Sequence, residues 1–246
     1  PLIAPHDPNR GNLRQVAMPT SWQKGGSLDH VLGTDHMGRD VLSRLIYGSR
    51  ISLLVAVIVI LLGAFAGTAL GLVSAFFGGW VDALLMRGAD IVFAFPELIL
   101  AIVVAAMLGP GTRTVIVALA IVWWPGIARL TRSLTLGLRT ELFVDAAVVS
   151  GTRPLTILLR HVLPNVVPPL IVRASIGVGF IVMAEATLSF LGIGVQEPLP
   201  TWGGMIRDGL VALRTEPYLA LSASAALGVT IIGFNLLGDG LRDVLD

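Results

Sequence analysis

The residues of this chain that could do chemistry are few and widely spaced. The densest polar stretch carries Asp145-Ala146-Ala147, then Gly151-Thr152-Arg153, then His161-Val162-Leu163-Pro164, between two long apolar runs. Five arginines, Arg129, Arg132, Arg139, Arg153 and Arg160, accompany it. Small side chains at Ala146 and Ala147 leave room for another surface, and Asp145 supplies a charge. On this ground the stretch reads either as a docking bracket for a partner protein or as a hairpin that only joins two spans. Glu97, Arg173 and Glu185 fall inside apolar runs, where an ionisable group is costly and normally faces a bundle interior or a wet cavity. For Glu97 and Glu185, contact with a transported molecule competes with internal pairing between helices. For Arg173 the structural reading, pairing or snorkelling to a membrane face, is preferred. Arg87 and Asp90, three apart, are expected to pair with each other.

Several chemistries are excluded. There is no cysteine, so disulfides and thiolate metal sites are ruled out. His6, His30, His36 and His161 are scattered, none at helical metal-ligand spacing, and no metal site is assigned. HExxH and GxSxG are absent. The acids inside the spans form no paired-aspartate or Ser/His pattern, so no catalytic residue is assigned and an intramembrane enzyme is the disfavoured alternative. A phosphate-cradling GxxxxGK[ST] loop needs a lysine, and the only one is Lys24, in Gln23-Lys24-Gly25-Gly26. This chain therefore has no conventional ATP site. Basic and acidic residues nearly cancel, 17 against 16, which gives no case for nucleic acid.

The elements that must position these residues are membrane helices. The chain is 54% apolar and 13% charged, with a mean hydropathy of +0.83; soluble domains run at about 45–50% and about 25%. A helix needs roughly 20 apolar residues to cross a hydrocarbon core of about 30 Å. Five runs qualify, at 51–77, 84–108, 114–130, 166–191 and 218–237. The alternation of a membrane β-barrel is missing, so the expectation is an all-α, polytopic membrane protein. Gly63, Gly67 and Gly71 share one helix face, a small-xxx-small pattern that lets a neighbour approach closely or that reflects the general abundance of glycine in membrane helices. Trp123-Trp124-Pro125-Gly126 suggests a kink. Trp80, Trp123, Trp124 and Trp202 sit near span ends, as in an aromatic belt.

Residues 1–50 form a separate segment, 51–240 the membrane domain with its loop at 131–165, and 241–246 a tail. From Arg39 to Tyr47, Val41, Leu42, Leu45 and Ile46 line one helix face. Arg39, Asp40, Ser43 and Arg44 line the other. Asp40 and Arg44 stand i,i+4 with the acid first, so an amphipathic interfacial helix is expected. From Arg132 to Ser150, Leu134, Leu138, Leu142 and Ala146 recur every fourth position, as on one amphipathic helix. Gly151 can end it in a left-handed conformation. Thr152 can cap a second helix with Pro154 in its first turn, running to Leu163, where Pro164 stops it.

Spacing then carries the functional reading. Asp145-Ala146-Ala147-x3-Gly151-x9-His161-x-Leu163-Pro164 resembles the EAA loop of bacterial ABC-importer permeases, E-A-A-x3-G-x9-I-x-L-P, with Asp for Glu and His for Ile. His161 to Asn165 reads HVLPN, similar to the HxLPN of the dipeptide and oligopeptide branch, the binding-protein-dependent permeases of the dipeptide C type. Gly33-Thr34-Asp35-x-x-Gly38-Arg39-Asp40-x-x-Ser43-Arg44 looks like the motif that precedes that branch's second helix. Glu185-Ala186-Thr187-Leu188-Ser189-Phe190-Leu191-Gly192-Ile193-Gly194, followed by Pro200-Thr201-Trp202-Gly203, is similar to the end of its fifth helix and the loop beyond.

The resemblance implies a type I ABC-importer permease in the bacterial cytoplasmic (inner) membrane. It implies six spans, the first having ended near Pro1. Residues 131–165 would be cytoplasmic and residues 1–50 outside. The implied partners are a second homologous permease, two cytoplasmic ATP-binding subunits that bind Mg-ATP, and an extracellular or periplasmic substrate-binding protein that docks on the loop after residue 194. Asp145, Ala146, Ala147, Gly151, Thr152, Arg153, His161, Leu163 and Pro164 would make the ATPase-coupling element, and Glu97 and Glu185 are candidates for the substrate path. The cargo implied is a di- or oligopeptide, with nickel chelates or glutathione as alternatives within the family.

Overall fold

The computed structural model describes residues 3–245; the expectation of a lost helix ending near Pro1 falls outside them. Apart from one isolated bridge between Thr34 and Asp40, the described residues form helices and loops. The first long helix, α1 (Val41–Phe77), begins where the Asp40 carboxylate accepts the Ser43 N–H at 2.7 Å, which satisfies one of the orphan donors of a helix start. It ends at Gly78, φ 62°. Two shorter helices follow, α2 (Gly79–Phe93) and α3 (Glu97–Leu108), then α4 (Thr112–Leu138). A hairpin of α5 (Leu142–Val149) and α6 (Pro154–Ile157) leads through a π-helical turn at Leu158–Val162 into α7 (Leu163–Phe190). The short α8 (Trp202–Val211) and α9 (Pro217–Leu245) complete the chain. The expected tail at 241–246 is thus the last turns of α9 as far as Leu245.

Among the described residues, four helices are long and apolar enough to cross a membrane: α1, α4, α7 with its preceding turns, and α9. The run at 84–108, expected as one straight span, is broken between α2 and α3 and bent by 89°; counted as one broken span, the pair makes the fifth. Pro96 explains the position of the break: it lacks an N–H and disfavours helical geometry at Phe95.

The outer amphipathic helix is also corrected. Arg39–Tyr47 is not an independent interfacial element, because α1 runs without interruption from Val41 through the first span. Its polar face is not solvated either: Arg39, Asp40, Ser43 and Arg44 are all buried beneath the loops of residues 3–38 and 192–201. The i,i+4 pair of Asp40 and Arg44 does not form. Arg44 turns to Asp35 (3.6 Å) and Glu197 (3.7 Å), and Asp40 to the helix start and to His30.

The centre of the bundle is the crossing of α1 and α4. A Cβ at Gly63 would lie 2.4 Å from Trp123 Cδ1, at Gly67 2.6 Å from the Trp124 carbonyl oxygen, and at Gly71 2.5 Å from that of Ala128. Gly67 and Gly71 therefore allow a close approach to the α4 backbone, and Gly63 makes room for the Trp123 ring, neither of which a larger side chain would permit. Trp123, expected in an interfacial belt, is 5% exposed. It is wedged between Gly63 and Gly177, with Phe180 stacked on it at 6.0 Å. Trp202 is likewise internal, its indole N–H donating to the Leu45 carbonyl at 3.1 Å, whereas Trp80 is exposed. Helix α4 continues through Pro125.

Overpacking a core costs about 1–3 kcal/mol, and at Gly67 the obstacle is backbone that cannot rotate away. Gly67→Val is expected to lower the melting temperature of the purified protein clearly. Gly228→Val, on α9 where nothing lies within 4 Å, is expected to leave it close to wild type. Thermal unfolding in detergent checks the pair.

Candidate functional site

The polar loop stands at one end of the bundle on α4, and charge fixes its base. Arg132 on α4 grips Asp82 on α2 with Nε and Nη2 at 2.5 and 2.6 Å, a bidentate geometry that fixes orientation as well as distance. The Ser74 hydroxyl donates to the same carboxylate. Arg139, just past the end of α4, donates from Nη1 to the Ala75 carbonyl at 2.7 Å and so ties the loop to the last turn of α1. Asp90 pairs with Arg129 rather than with Arg87, and that arginine also covers the Phe93 ring at 4.3 Å. The expected pairing along one helix loses to a pairing between helices.

From Arg139 to Glu141 the chain leaves α4, so the single amphipathic helix read over 132–150 is two elements. Leu134 and Leu138 belong to α4 and pack on the bundle core. Leu142 opens α5 and is 83% exposed. The four-residue period survives the break, but the face it marks does not. Within α5, Val144 and Ala147 point inward, while Asp145, Ala146, Val148 and Val149 are exposed, Val149 at 88%.

Gly151 ends α5 at φ 73°. The Thr152 N–H bonds the Ala147 carbonyl at 3.1 Å and the Gly151 N–H that of Val148 at 3.0 Å, the paired pattern of a Schellman ending. Thr152 spends its backbone there and does not cap the next helix. Arg153 holds the N-cap position of α6 without a side-chain bond, and Pro154 occupies the first helical turn, where its missing N–H costs nothing.

Pro164 does not stop the chain as expected. The π-helical turn at Leu158–Val162 widens the helix just before it, with the Leu163 N–H reaching Leu158 at i−5. Such a turn relieves the clash that proline makes with the carbonyl four residues back. Asn165 adds a side-chain bond from Nδ2 to the His161 carbonyl at 2.6 Å. His161, Leu163 and Pro164 therefore belong to the junction that carries α6 into α7, while Asp145 and Ala146 lie on the outer face of α5. Beneath the hairpin, among Phe76, Thr135, Arg139, Val144, Ile157 and Val162, lies a largely apolar cavity of about 250 Å³.

The charges inside the spans have separate fates. Glu185 on α7 is fully buried, accepting hydrogen bonds from Ser52 Oγ of α1 at 2.6 Å and Ser189 Oγ at 2.7 Å. It bridges two helices. Glu97 is exposed at the first turn of α3, where a carboxylate suits the helix dipole. Arg173 stacks on Trp123 at 4.8 Å from the ring centroid, a cation–π contact; among the described residues no carboxylate lies within ion-pair distance of it.

One polar cluster was not anticipated. Asp35 accepts the Met37 and Arg39 N–H groups at 2.9 Å each and Arg39 Nε at 2.7 Å. Arg39 Nη2 reaches Glu197 at 3.2 Å. Burial opposes the charge of Arg39, but hydrogen bonds and attraction from Asp35 and Glu197 outweigh it and raise its pKa. The string containing Asp35 and Arg39 was visible as a motif; its partner, 158 residues away, was not.

A bundle of apolar spans with internal ion pairs and a hairpin projecting from one end is a polytopic membrane protein. Residues 60–246 match the family model described as "Binding-protein-dependent transport system inner membrane component", and the chain belongs to that family: it is an ABC-importer permease, a multi-pass protein of the inner membrane. It is 43% identical over 223 residues to the glutathione transport system permease protein GsiD of Pectobacterium atrosepticum, covering 91% of this chain and 74% of that one. It is 40% identical to the dipeptide transport system permease protein DppC of Alkalihalophilus pseudofirmus, over 93% and 75%. With the corresponding dipeptide permease of Haemophilus influenzae it shares 39% over its whole length and 83% of that protein. The fold is similar to a chain of the inward-facing MetNI methionine ABC transporter, with a TM-score of 0.67 at 18% identity over 82% of this chain and 96% of that one.

The two serine hydroxyls on Glu185 make a direct prediction. Glu185→Ala orphans both donors in the core, at about 1–3 kcal/mol, and is expected to lower the melting temperature. Glu185→Gln, which keeps an acceptor oxygen, should fall nearer wild type. A stable Glu185→Ala protein that transports poorly would instead place this residue on the cargo path; thermal unfolding alongside uptake separates the two.

Proposed function

We propose that this chain forms half of the translocation path of an ATP-driven importer of short peptides, and that the hairpin from Arg139 to Pro164 is where an ATPase drives it. The observation that carries the reading is the outward face of α5. An eight-residue helix presenting Leu142, Asp145, Ala146 and Val149 to solvent has apolar area that only a partner would cover. Two arginines and a Schellman turn hold it at a set angle. The chain itself has no phosphate loop, so Mg-ATP would be bound and hydrolysed by two partner subunits. A second, related permease would complete the path, and a substrate-binding protein would deliver cargo at the opposite end, near α8. Thr152 and Arg153 shape the turn, and His161, Leu163 and Pro164 transmit its movement into α7 through the π-helical turn. The dipeptide and glutathione relatives support a short peptide as cargo, glutathione itself being a tripeptide; nickel chelates are the alternative. Glu97, exposed at the broken α2–α3 pair, is retained as a candidate on the cargo path, whereas the two serine bonds on Glu185 favour a structural role.

Copurification of the intact complex is the first check, and absence of any ATP-hydrolysing subunit would refute the reading. Competition for uptake between a labelled dipeptide, glutathione and a nickel chelate then assigns the cargo. Gly151 supplies the sharper experiment. No atom would meet a Cβ there, but φ is 73°, so a substitution acts through backbone conformation alone. Gly151→Val is expected to cut uptake about tenfold or more while ATP hydrolysis persists, and Gly151→Asn, which tolerates the left-handed region, should retain most transport. Both rates are read in proteoliposomes.

A further inference from the structure

Three ligand-type side chains far apart in sequence meet at the start of α1. His30 Nδ1 lies 2.9 Å from Asp40 Oδ1, and His6 Nδ1 lies 3.8 Å from the same oxygen. The two imidazole rings are 4.7 Å apart, tilted by 32°. One donor atom from each of the three residues lies within 4.8 Å of the other two. In a tetrahedral site with bonds of about 2.1 Å, neighbouring ligand atoms stand about 3.4 Å apart, and the observed separations from the carboxylate oxygen bracket that distance. We propose that His6, His30 and Asp40 form a three-ligand site for a borderline divalent transition-metal ion of the zinc type, with its fourth position open to solvent.

Four observations support this assignment beyond proximity. The first is that the ligands are held in place independently of one another. Asp40 Oδ2 is committed to the Ser43 N–H, and Oδ1 meets His30 Nδ1 at 2.9 Å, a hydrogen bond that a metal between the two atoms would replace. The His6 backbone N–H donates to Ser43 Oγ at 3.0 Å. His30 sits in a turn closed by its N–H to Ser27 and by the Gly33 N–H to its own carbonyl. The second is the charge balance. Asp40 is buried, and among the described residues its ion-pair partners are the two imidazoles alone, because Arg39 and Arg44 face Asp35 and Glu197 instead. A divalent ion would compensate that carboxylate.

The third observation is access: a space of about 680 Å³ opens beside the cluster, with Arg10, Asn12, Gln15 and Asp29 on its walls. Arg10 there would favour water, hydroxide or a carboxylate as the fourth ligand. The fourth is the donor set itself. Two imidazoles and one carboxylate suit zinc, nickel or copper far better than magnesium or calcium, which prefer oxygen ligands. A bound ion would staple the segment around His6 to the first turn of α1.

The experiment uses the protein with whatever subunits copurify, stripped with EDTA and reloaded with zinc chloride in magnesium-containing buffer. Wild type should retain one zinc equivalent more than His6→Ala by elemental analysis, and zinc should raise the melting temperature of wild type but not of that variant. Cobalt(II) loading should give the visible absorption of a four-coordinate site, absent in His6→Ala. Asp40→Asn keeps an oxygen for the helix cap and should also lose the equivalent. His6 is 40% exposed and holds no helix cap, so its variant decides the matter even where Asp40→Asn fails to assemble. Equal zinc in wild type and His6→Ala, or none in either, would overturn the site and leave an internal hydrogen-bonded cluster. Neither result depends on transport, so the peptide-importer reading stands or falls separately.

Discussion

Everything else in this structure depends on how closely α1 and α4 approach. In lipid the apolar surface of one helix gains little by meeting another, because acyl chains are equally apolar; packing and internal hydrogen bonds must hold the helices together. Gly63, Gly67 and Gly71 bring the α1 backbone against the carbonyls of Trp124 and Ala128, and this close approach provides that packing. Trp123 turns the contact into a three-helix junction, since its ring fills the space left by Gly63 on α1 and Gly177 on α7. Arg173 then covers the ring from the side.

Polar clamps complete the frame at both ends. At one end, Arg132 on Asp82 and Arg139 on the Ala75 carbonyl fasten α2, α4 and the last turn of α1 to one another. The hairpin is thus presented by a rigid base, and its own turn is set by a glycine in a left-handed conformation. At the other end, Asp35, Arg39, Arg44 and Glu197 join the segment before α1 to the loop after α7, with Tyr218 of α9 donating to the Met18 carbonyl at 2.9 Å. Between the two, Glu185 links α1 and α7 through paired serines. A displacement of the hairpin therefore has continuous routes into α1, α4 and α7.

Much of this is legible in the residues. The membrane class, the helical character, the small-residue face of α1 and the turn at Gly151 follow from local properties: hydropathy over about 20 residues, a period of four, the backbone freedom of glycine. The charge pairings that failed assume that a residue's partner lies on its own helix. Spacing along one helix matches Asp90 with Arg87 and Asp40 with Arg44, but Asp90 pairs with Arg129, and Asp40 caps α1 while meeting His30. Trp123 and Trp202, near span ends, suit a belt by position, yet both are buried against other helices. In each case a tertiary neighbour offered desolvated, directional contact that an i,i+3 or i,i+4 companion could not.

The sequence by itself determined that this chain lives in a membrane as helices, that it lacks a phosphate loop, and that its ordered motifs are those of a permease. Those properties are summed over contiguous residues, so no fold is needed to read them. Only the tertiary structure decided which charges pair, that the run at 84–108 is bent sharply at Pro96, that α6 passes through Pro164 into α7, and that His6, His30 and Asp40 converge. The charge pairings and the convergence depend on contacts between residues as many as 158 positions apart, which local patterning does not encode; at the two prolines the residue is visible in the sequence, but the backbone path taken around it is not.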